Sequence, residues 1–142
     1  MLPHQSRSIY HSRNQALVKP LIHPAIEHVP LGAILHALAD PVRVALFAEI
    51  VAQDCPRNCT MLLSVLDKPI PKSTVSQHMR ILREAGLIRG ERHGVEMRNT
   101  ARCSEIDARY PGLILSIVAA HEIQIEAEKK RVRRRSHSTA HA

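Results

Sequence analysis

The sequence predicts a mainly α-helical domain with one small β-hairpin, and three observations lead to this fold class. Leu, Ile, Val and Met recur at spacings of three and four residues in several segments after Leu31, which is typical of amphipathic helices. Two short strand-like segments flank Arg92-His93-Gly94. The chain of 142 residues holds only one Phe, two Tyr and no Trp, so its core must be aliphatic, which suits packed helices.

Three regions are expected along the chain. Residues 1–27 are rich in His, Pro, Ser and Arg and predict a poorly ordered N-terminal arm. Residues 28–128 carry the helical patterns and form the predicted folded domain. Residues 129–142 predict a basic, largely disordered tail whose first part could continue a helix. The sequence shows neither a signal-peptide core nor an apolar run long enough for a bilayer, so we expect a cytoplasmic protein.

The first half of the domain predicts three helices. Leu31 to Leu38 has apolar residues on one face, and Asp40-Pro41 marks the start of a second helix that runs to residue 52. The segment DCPRN interrupts the pattern, after which Asn58 can cap a third helix, Cys59 to Leu66. Pro69 and Pro71 exclude a continuous helix and predict a turn over residues 67–71.

The second half predicts a helix, a hairpin and a final helix. Val75, Met79 and Leu82 form one buried stripe on a helix from about Lys72 to Ala85, and Gly86 suits its end. Residues 87–91 and 95–100 predict the two strands. A last helix is expected to begin near Tyr110-Pro111 and to carry several apolar residues on one face.

The helix that starts near Lys72 has an exposed face suited to a DNA major groove. Its short hydroxyl side chains let the N-terminal turn come close to phosphate, where free N–H groups and the helix dipole favour an anion. Gln77 can pair with adenine and Arg80 with guanine or phosphate. An ordinary solvated face is the alternative for the helix alone. The candidate DNA-binding residues, including those of the basic hairpin, are Lys72, Ser73, Thr74, Ser76, Gln77, His78, Arg80, Arg83, Arg89, Arg92, His93 and Arg98.

The charge of the chain is consistent with a polyanionic partner but does not decide the matter. The formal net charge is +7 and the isoelectric point is about 9.9. The basic run at residues 129–135 could alone explain this excess, and could bind DNA phosphates, bind an anionic membrane or only aid solubility. Because aromatic residues are so few, an aromatic platform for single-stranded nucleic acid is essentially excluded.

Three segments resemble the ArsR/SmtB family of bacterial repressors: LHALADPVRVALF, KSTVSQHMRILREAGLIRGERHG and IDARYPGLILSIV. The resemblance runs from about Leu31 to Val118. It implies a winged helix-turn-helix homodimer, joined through its first and last helices, that binds a DNA operator, represses transcription and is released by an effector. The sequence departs from the family at Pro71, where Ser is usual. A capping box from Thr74 to Gln77 could then start the helix later and weaken the assignment of Lys72 and Ser73.

The last helix carries more apolar residues than a small core needs, which supports the dimer independently of the resemblance. A two-fold dimer would present its recognition helices to major grooves about 34 Å apart. The alternative is that this helix folds back on its own domain. The predicted interface residues are Leu31, Ile34, Leu35, Leu113, Ile114, Ile117, Val118 and His121.

The three cysteines, Cys55, Cys59 and Cys103, are a possible thiol switch, or part of an unfamiliar zinc site with a histidine. The favoured interpretation is three ordinary reduced thiols. The resemblance implies two metal sites whose ligands do not match here. The Cys-x-Cys pair has at most Cys59, and the site on the last helix would fall on Arg109, Ala120 and Ile123. We therefore expect no metal and no cofactor.

The leading hypothesis is thus a dimeric, sequence-specific DNA-binding regulator, most simply a repressor released by an effector or a redox change. The alternative is a winged-helix adaptor that binds a protein partner and contacts nucleic acid nonspecifically. The sequence lacks a Gly-rich phosphate loop, a nucleophile with a base, and a carboxylate cluster, so an enzyme is not expected.

Overall fold

The computed structural model describes residues 21–53 and 66–141, and it confirms a mainly α-helical chain with an antiparallel hairpin. The predicted third helix, Cys59 to Leu66, and its cap Asn58 lie outside the described residues, apart from Leu66 itself. The elements, in chain order, are a 3₁₀ turn (Ile26–His28), α1 (Leu31–Leu38), α2 (Pro41–Ala52), α3 (Lys72–Glu84), β1 (Ile88–His93), β2 (Glu96–Ala101), α4 (Cys103–Arg109) and α5 (Leu113–Thr139).

The start of α2 follows directly from two residues. The carboxylate of Asp40 accepts hydrogen bonds from the backbone N–H groups of Val42 (2.8 Å) and Arg43 (3.0 Å). Pro41 occupies the first helical turn, where a missing N–H costs nothing. Arg43 then reaches back and donates to the carbonyl of Ala37 at 2.6 Å, which ties α1 to α2. The predicted bounds of both helices are confirmed.

One largely aliphatic cluster, with Phe47 as its buried aromatic residue, holds these elements together. Helix α2 contributes Leu46, Phe47 and Ile50, and α3 contributes the predicted stripe of Val75, Met79 and Leu82. The strand end and the later helices add further buried side chains, namely Leu87, Ile88, Ile106 and Ile114. Removing this apolar surface from water is the main favourable term that fixes α3 on the domain.

Helix α3 ends in a Schellman motif at Gly86. The N–H of Leu87 donates to the carbonyl of Leu82 (3.0 Å), and the N–H of Gly86 donates to the carbonyl of Arg83 (2.9 Å). Gly86 has φ +81°, a left-handed conformation that favours glycine. Leu82 and Leu87 are both fully buried and supply the apolar contact that accompanies this motif.

The hairpin is displaced by one or two residues from its predicted bounds. Ile88 pairs with Ala101 and His93 pairs with Glu96, so the loop has two residues, Gly94 and Val95. Gly94 has φ +62°, whereas Val95 has no positive φ, which is the pattern of a type II′ turn with glycine first.

Helix α4 was not predicted, and α5 begins at Leu113 rather than near Tyr110-Pro111. The two helices are separated by a tight turn in which Gly112 has φ +76° and donates its N–H to the carboxylate of Asp107 at 2.9 Å. Helix α4 buries only Ile106, and a helix with one buried residue leaves no periodic signal.

The C-terminal segment differs from the expected disordered tail, because α5 continues through Thr139. Lys, Arg, Glu and Ala are strong helix formers, and Lys129 pairs with Glu126 at 3.2 Å one turn earlier. Cations near a helix C-terminus also interact favourably with the helix dipole.

The N-terminal arm also differs from its prediction in the part that the structure describes. The ring Nε2 of His23 accepts a hydrogen bond from the backbone N–H of Gly90 at 2.9 Å. Val29 is buried, and its carbonyl accepts from the hydroxyl of Tyr110 at 2.8 Å. Residues 21–29 therefore pack on the hairpin and on the α4–α5 turn. The rest of the predicted arm lies outside the described residues.

Across residues 21–53 and 66–141, no single helix is both long and apolar enough to cross a membrane. Helices α1 and α2 reach that length and apolarity only when taken together, and a bend of 104° separates them.

Candidate nucleic-acid interface

The outer face of α3 presents polar and basic side chains from its first turn onward. Lys72, Ser73, Ser76, Gln77 and Arg80 are all exposed, and the buried stripe lies on the opposite side of the helix. This arrangement follows from the helical period, because the core takes every third or fourth residue and leaves the others outside. The arrangement matches the face predicted from the sequence.

Helix α3 starts at Lys72, so the later start considered for a Thr74–Gln77 capping box does not occur. The carbonyl of Pro71 accepts from the N–H groups of Thr74 (3.0 Å) and Val75 (3.2 Å), which makes proline the N-cap residue. No side chain caps this end of the helix. The N–H groups of Lys72 and Ser73 are therefore left without a side-chain partner, and such an end favours an incoming phosphate.

Arg80 is only loosely held. Its Nε lies 3.9 Å from the carboxylate of Glu84 one turn later, and both side chains are largely exposed. An exposed pair at this distance contributes at most a few tenths of a kcal/mol, about 0.3–0.5. The guanidinium is consequently able to exchange Glu84 for a base edge or a phosphate at little cost.

Three of the predicted contact residues on α3 are half-buried and turn partly toward the domain, namely Thr74, His78 and Arg83. Among the described residues, the buried Nδ1 of His78 has no hydrogen-bond partner. Burial alone would raise the pKa of Asp40, but the N–H groups of Arg43 and Val42 and the nearby positive charges, including His78, lower it overall. The aliphatic part of Arg83 packs closely over Gly90 of β1.

The outer face of the hairpin is less basic than the sequence indicates. Residues directly opposite in an antiparallel pair share a face, so Arg89, His93 and Arg98 lie beside Glu91 and Glu96. His93 is 3.5 Å from Glu91, and Arg98 is 3.8 Å from Glu96. The prediction from the sequence named the basic residues of the hairpin and did not take these two acids into account.

Arg92 differs from the other basic residues of the hairpin. It is exposed near the turn and lies on the face shared with Gly90 and Met97 rather than with the two acids. In the part of the chain that the structure describes, it makes no ion pair. It is therefore the hairpin cation best placed to contact phosphate.

A buried arginine that was not predicted from the sequence anchors the base of the hairpin. The guanidinium of Arg102 is almost wholly buried and makes a two-point contact with the carboxylate of Glu105, at 2.8 and 3.1 Å. It also donates to the carbonyl of Pro24 at 2.8 Å. Glu105 in turn lies 3.6 Å from Arg89, so this predicted DNA contact is partly engaged within the chain.

This cluster shifts two pKa values in the same direction. Hydrogen bonding from Arg102 lowers the pKa of Glu105, with the charges of Arg102 and Arg89 adding to the effect. Burial lowers the pKa of His23, and the charges of Arg89, Arg83 and Arg102 lower it further against an opposing effect of Glu91. A neutral His23 is what its contact requires, because Nε2 accepts the Gly90 N–H.

Comparisons with known proteins agree with this geometry. A family model described as a helix-turn-helix domain matches residues 38–91. Two strains of Mycobacterium tuberculosis, CDC 1551/Oshkosh and H37Rv, carry an HTH-type transcriptional repressor SmtB that is 40% identical over 67 residues. The match covers 46% of this chain and 46% of each relative, so the chain spans about half the length of the curated relatives it matches.

Two solved structures are similar to this chain at low sequence identity, and the first of them shares its fold. Reduced HlyU from Vibrio cholerae N16961 is 19% identical, covers 80% of this chain and 95% of its own, and has a TM-score of 0.50. An ArsR-like transcriptional regulator from Rhodococcus sp. RHA1 is 20% identical, with 72% and 91% covered and a TM-score of 0.47.

The chain thus contains a helix-turn-helix domain, and over about half of its length it is similar to proteins named as SmtB repressors. In the winged helix-turn-helix fold, α3 has the position of the recognition helix and the β1–β2 hairpin that of the wing. The winged helix-turn-helix fold predicted from the sequence is confirmed.

The structure describes one of the three cysteines, Cys103. Cys55 and Cys59 lie outside the described residues. Cys103 is the first residue of α4, and burial, together with the charge of Asp107, raises the pKa of its thiol. Among the described residues, no three His, Cys, Asp or Glu side chains lie close enough to hold a metal ion. The possible thiol switch stays a prediction.

Six of the eight predicted dimer residues are buried or half-buried within the chain. Ile34 and Ile114 are buried in the chain's own core and are therefore not available as an interface surface. Four residues of α5 are half-buried, namely Leu113, Ile117, Val118 and His121. The three apolar ones pack against that core, which matches the alternative that this face folds back on its own domain.

Other apolar side chains remain exposed on the two predicted dimerisation helices. On α1 they are the predicted Leu31 and Leu35, which are 42% and 48% exposed. On α5 they include Leu115 and Ile123, which are 77% and 72% exposed and were not among the predicted interface residues. These two residues are eight positions apart and so lie along one side of the helix, away from Ile114.

Proposed function

We propose that the protein is a dimeric, sequence-specific DNA-binding transcriptional regulator that acts as a repressor. Helix α3 enters the major groove, and the hairpin lies along the neighbouring backbone or minor groove. The similarity to two proteins named HTH-type transcriptional repressor SmtB supports this class of activity. We also expect the protein to act in the cytoplasm, where it meets its operator.

The observation that carries the proposal is the exposed, uncapped N-terminal half of α3. Its first turn offers N–H groups without a side-chain partner, and Gln77 and Arg80 follow on the same outward face. A groove-binding helix needs both features, since backbone contacts set its position and one or two longer side chains read the base edges.

Selection of bound duplexes from a random-sequence library tests this proposal. We expect a near-palindromic consensus whose half-sites are about one helical turn apart. Gln77→Ala and Arg80→Ala should each relax the preference at particular base pairs, by about 1–3 kcal/mol for each bidentate pair of hydrogen bonds that the substitution removes. Gln124→Ala and Arg109→Ala are matched controls, because each removes the same residue type from an exposed position on another helix.

Two outcomes would contradict the proposal. The first is a selection that returns no preferred sequence with the purified full chain. The second is a consensus that stays the same in Gln77→Ala and Arg80→Ala. Indifference to both substitutions would favour the alternative, a winged-helix adaptor whose partner is another protein.

The dimer is proposed to form through α1 and α5. The exposed leucines of α1 and the exposed Leu115 and Ile123 of α5 support this, because large apolar side chains on two helices are costly to leave in water. Sedimentation of Leu115→Glu should show a shift from dimer toward monomer. Val95→Glu is the control, since Val95 is fully exposed at the hairpin turn, and its sedimentation should stay that of the dimer. A monomeric parent chain would refute the dimer.

The proposal includes release from DNA by an effector or a redox change, without a bound cofactor and without enzymatic activity. The names of the relatives describe repressors, which supports a non-catalytic role. Metal analysis and free-thiol counting on protein purified without oxygen test this part. Three reduced thiols and no stoichiometric metal are expected. A bound metal would contradict the cofactor-free state, and a reversible disulfide would assign the redox route.

A further inference from the structure

The last part of α5, residues 126–139, forms a helical projection with every described side chain exposed, and we call it the basic extension. The last half-buried residue before it is Ile125. At 1.5 Å per residue, the basic extension is about 21 Å long. A helix this long that packs no face against the rest of the described residues is a surface available to a partner.

The basic extension carries many more positive than negative side chains. Lys129 pairs with Glu126 at its base, whereas the other cations make no ion pair among the described residues. At 100° per residue these cations lie on several sides of the helix rather than along one stripe. The unpaired cations are Lys130, Arg131, Arg133, Arg134 and Arg135.

The base of the basic extension lies beside the turn that precedes α3. A groove of about 440 Å³ separates its base from the turn before α3. Asp67 of that turn faces the α5 side chains across this groove, and α3 begins at Lys72 only a few residues later. The residues that line the groove are Asp67, Ile125, Glu128, Lys129, Val132 and Arg133. The start of the cationic helix therefore lies beside the turn that leads into the element proposed to enter DNA.

We propose that the basic extension binds the phosphates of double-stranded DNA that flanks the site read by α3. This inference rests on the proposed function, since the recognition helix brings the duplex to the extension. Charge complementarity supports the inference. Duplex DNA has one negative charge per about 1.7 Å of its axis, and the unpaired cations of the extension follow one another along its helix at a comparable spacing. The contact adds affinity without adding sequence preference.

The composition of the basic extension favours DNA over two other occupants. A helix that lies on a membrane needs an apolar face, and Val132 is the only large apolar residue between Glu126 and Thr139. A parallel pairing with a second copy would bring two sets of cations together, which is unfavourable.

The test compares the salt dependence of binding to a 40-base-pair duplex of mixed sequence. One variant replaces the five unpaired cations with glutamine, a good helix former, and a matched control replaces the four arginines with lysine, which keeps the charge. Circular dichroism of both variants checks that the helix is retained. The substitutions are Lys130→Gln, Arg131→Gln, Arg133→Gln, Arg134→Gln and Arg135→Gln in the first, and Arg131→Lys, Arg133→Lys, Arg134→Lys and Arg135→Lys in the control.

We expect the glutamine variant to bind more weakly and to lose about 0.9 from the slope of log K against log salt for each phosphate that is no longer neutralised. Removing the neutralisation of two to four phosphates therefore lowers the slope by about 2–4, while the lysine control keeps it. An unchanged slope in the glutamine variant, with helicity retained, would overturn the inference. The inference would also be overturned if the glutamine variant kept its DNA slope but no longer sedimented with vesicles of phosphatidylserine and phosphatidylcholine, because the extension would then bind an anionic membrane.

The two proposals fail separately. If the glutamine variant keeps its slope but still selects the same consensus, the extension has no role and sequence reading by α3 stands. If no consensus exists but the slope falls in the glutamine variant, the extension binds DNA and the proposed sequence-specific function is wrong.

Discussion

Replacing Gly86 with alanine should destabilise the domain strongly, for two reasons that the structure separates. Gly86 has φ +81°, and a residue with a Cβ pays about 1–2 kcal/mol to adopt that conformation. A Cβ at this position would also lie only 2.5 Å from Cγ2 of Val29, well inside the usual carbon–carbon contact of about 3.5–4.0 Å.

Val29 has little freedom to relieve this clash. Its side chain is 1% exposed, and its carbonyl is held by the Tyr110 hydroxyl at 2.8 Å. Inserting an extra methyl group into such a packed site costs about 1–3 kcal/mol. Together the two effects predict that Gly86→Ala lowers the free energy of unfolding by about 2–5 kcal/mol.

Gly94→Ala is the matched control, because Gly94 has φ +62° but no neighbouring atom within 4 Å of a built Cβ. It should therefore show only the conformational cost of about 1–2 kcal/mol. Urea denaturation followed by far-UV circular dichroism, at one fixed chain concentration, measures both variants. In a Val29→Ala background, Gly86→Ala should cost less, because the clashing methyl groups are gone. Equal costs for Gly86→Ala and Gly94→Ala, or no relief from Val29→Ala, would refute the reasoning.

Three further outcomes are expected. Asp40→Ala removes the carboxylate that caps α2 and should lower the free energy of unfolding by about 0.5–2 kcal/mol in urea denaturation, whereas Asp40→Asn, which keeps an acceptor, should lose less. The folded chain lowers the pKa of His23, so neutral His23 stabilises the fold fully above the ordinary pKa of about 6.5. This stabilisation is lost as the pH falls through the lowered pKa. His23→Gln should remove this part of the pH dependence when the free energy of unfolding is measured from pH 5 to pH 7.5. Arg102→Met removes the hydrogen-bond partner of Glu105 and of the Pro24 carbonyl, and should lower the free energy of unfolding by about 1–3 kcal/mol in urea denaturation. A stability equal to that of the parent chain would show that the buried cluster contributes nothing.

The features that the sequence predicted well are those fixed by neighbouring residues. Asp40-Pro41 sets the start of α2, and Gly86 ends α3 within a residue of the expected place. The inward stripe of α3 follows from helical periodicity alone, and so the outward position of Gln77 could be predicted with it. Such signals need no knowledge of what lies across the fold.

The features that were missed depend on contacts between distant segments. Whether the apolar face of α5 packs on its own domain or on a partner cannot be derived from spacing, and the structure uses Ile114 internally while leaving Leu115 exposed. The basic hairpin was overestimated for a related reason. The pairing register places Glu91 opposite Arg98, and a register is set by the fold rather than by composition.

Arg102 is the clearest case, and it shows why the segment before α1 belongs to the folded unit. Its guanidinium joins Pro24 to Glu105, which are about 80 residues apart in the chain, and Glu105 extends the cluster to Arg89 of the wing. In sequence, an arginine beside a glutamate three residues later indicates only an ordinary exposed helix pair. Because Arg102 is buried, its charge is removed from water and must be satisfied by specific partners, which an exposed pair does not require. The chain meets that demand with the backbone of the N-terminal segment, so residues 21–29, the wing and α4 are expected to lose their structure together when Arg102 is replaced.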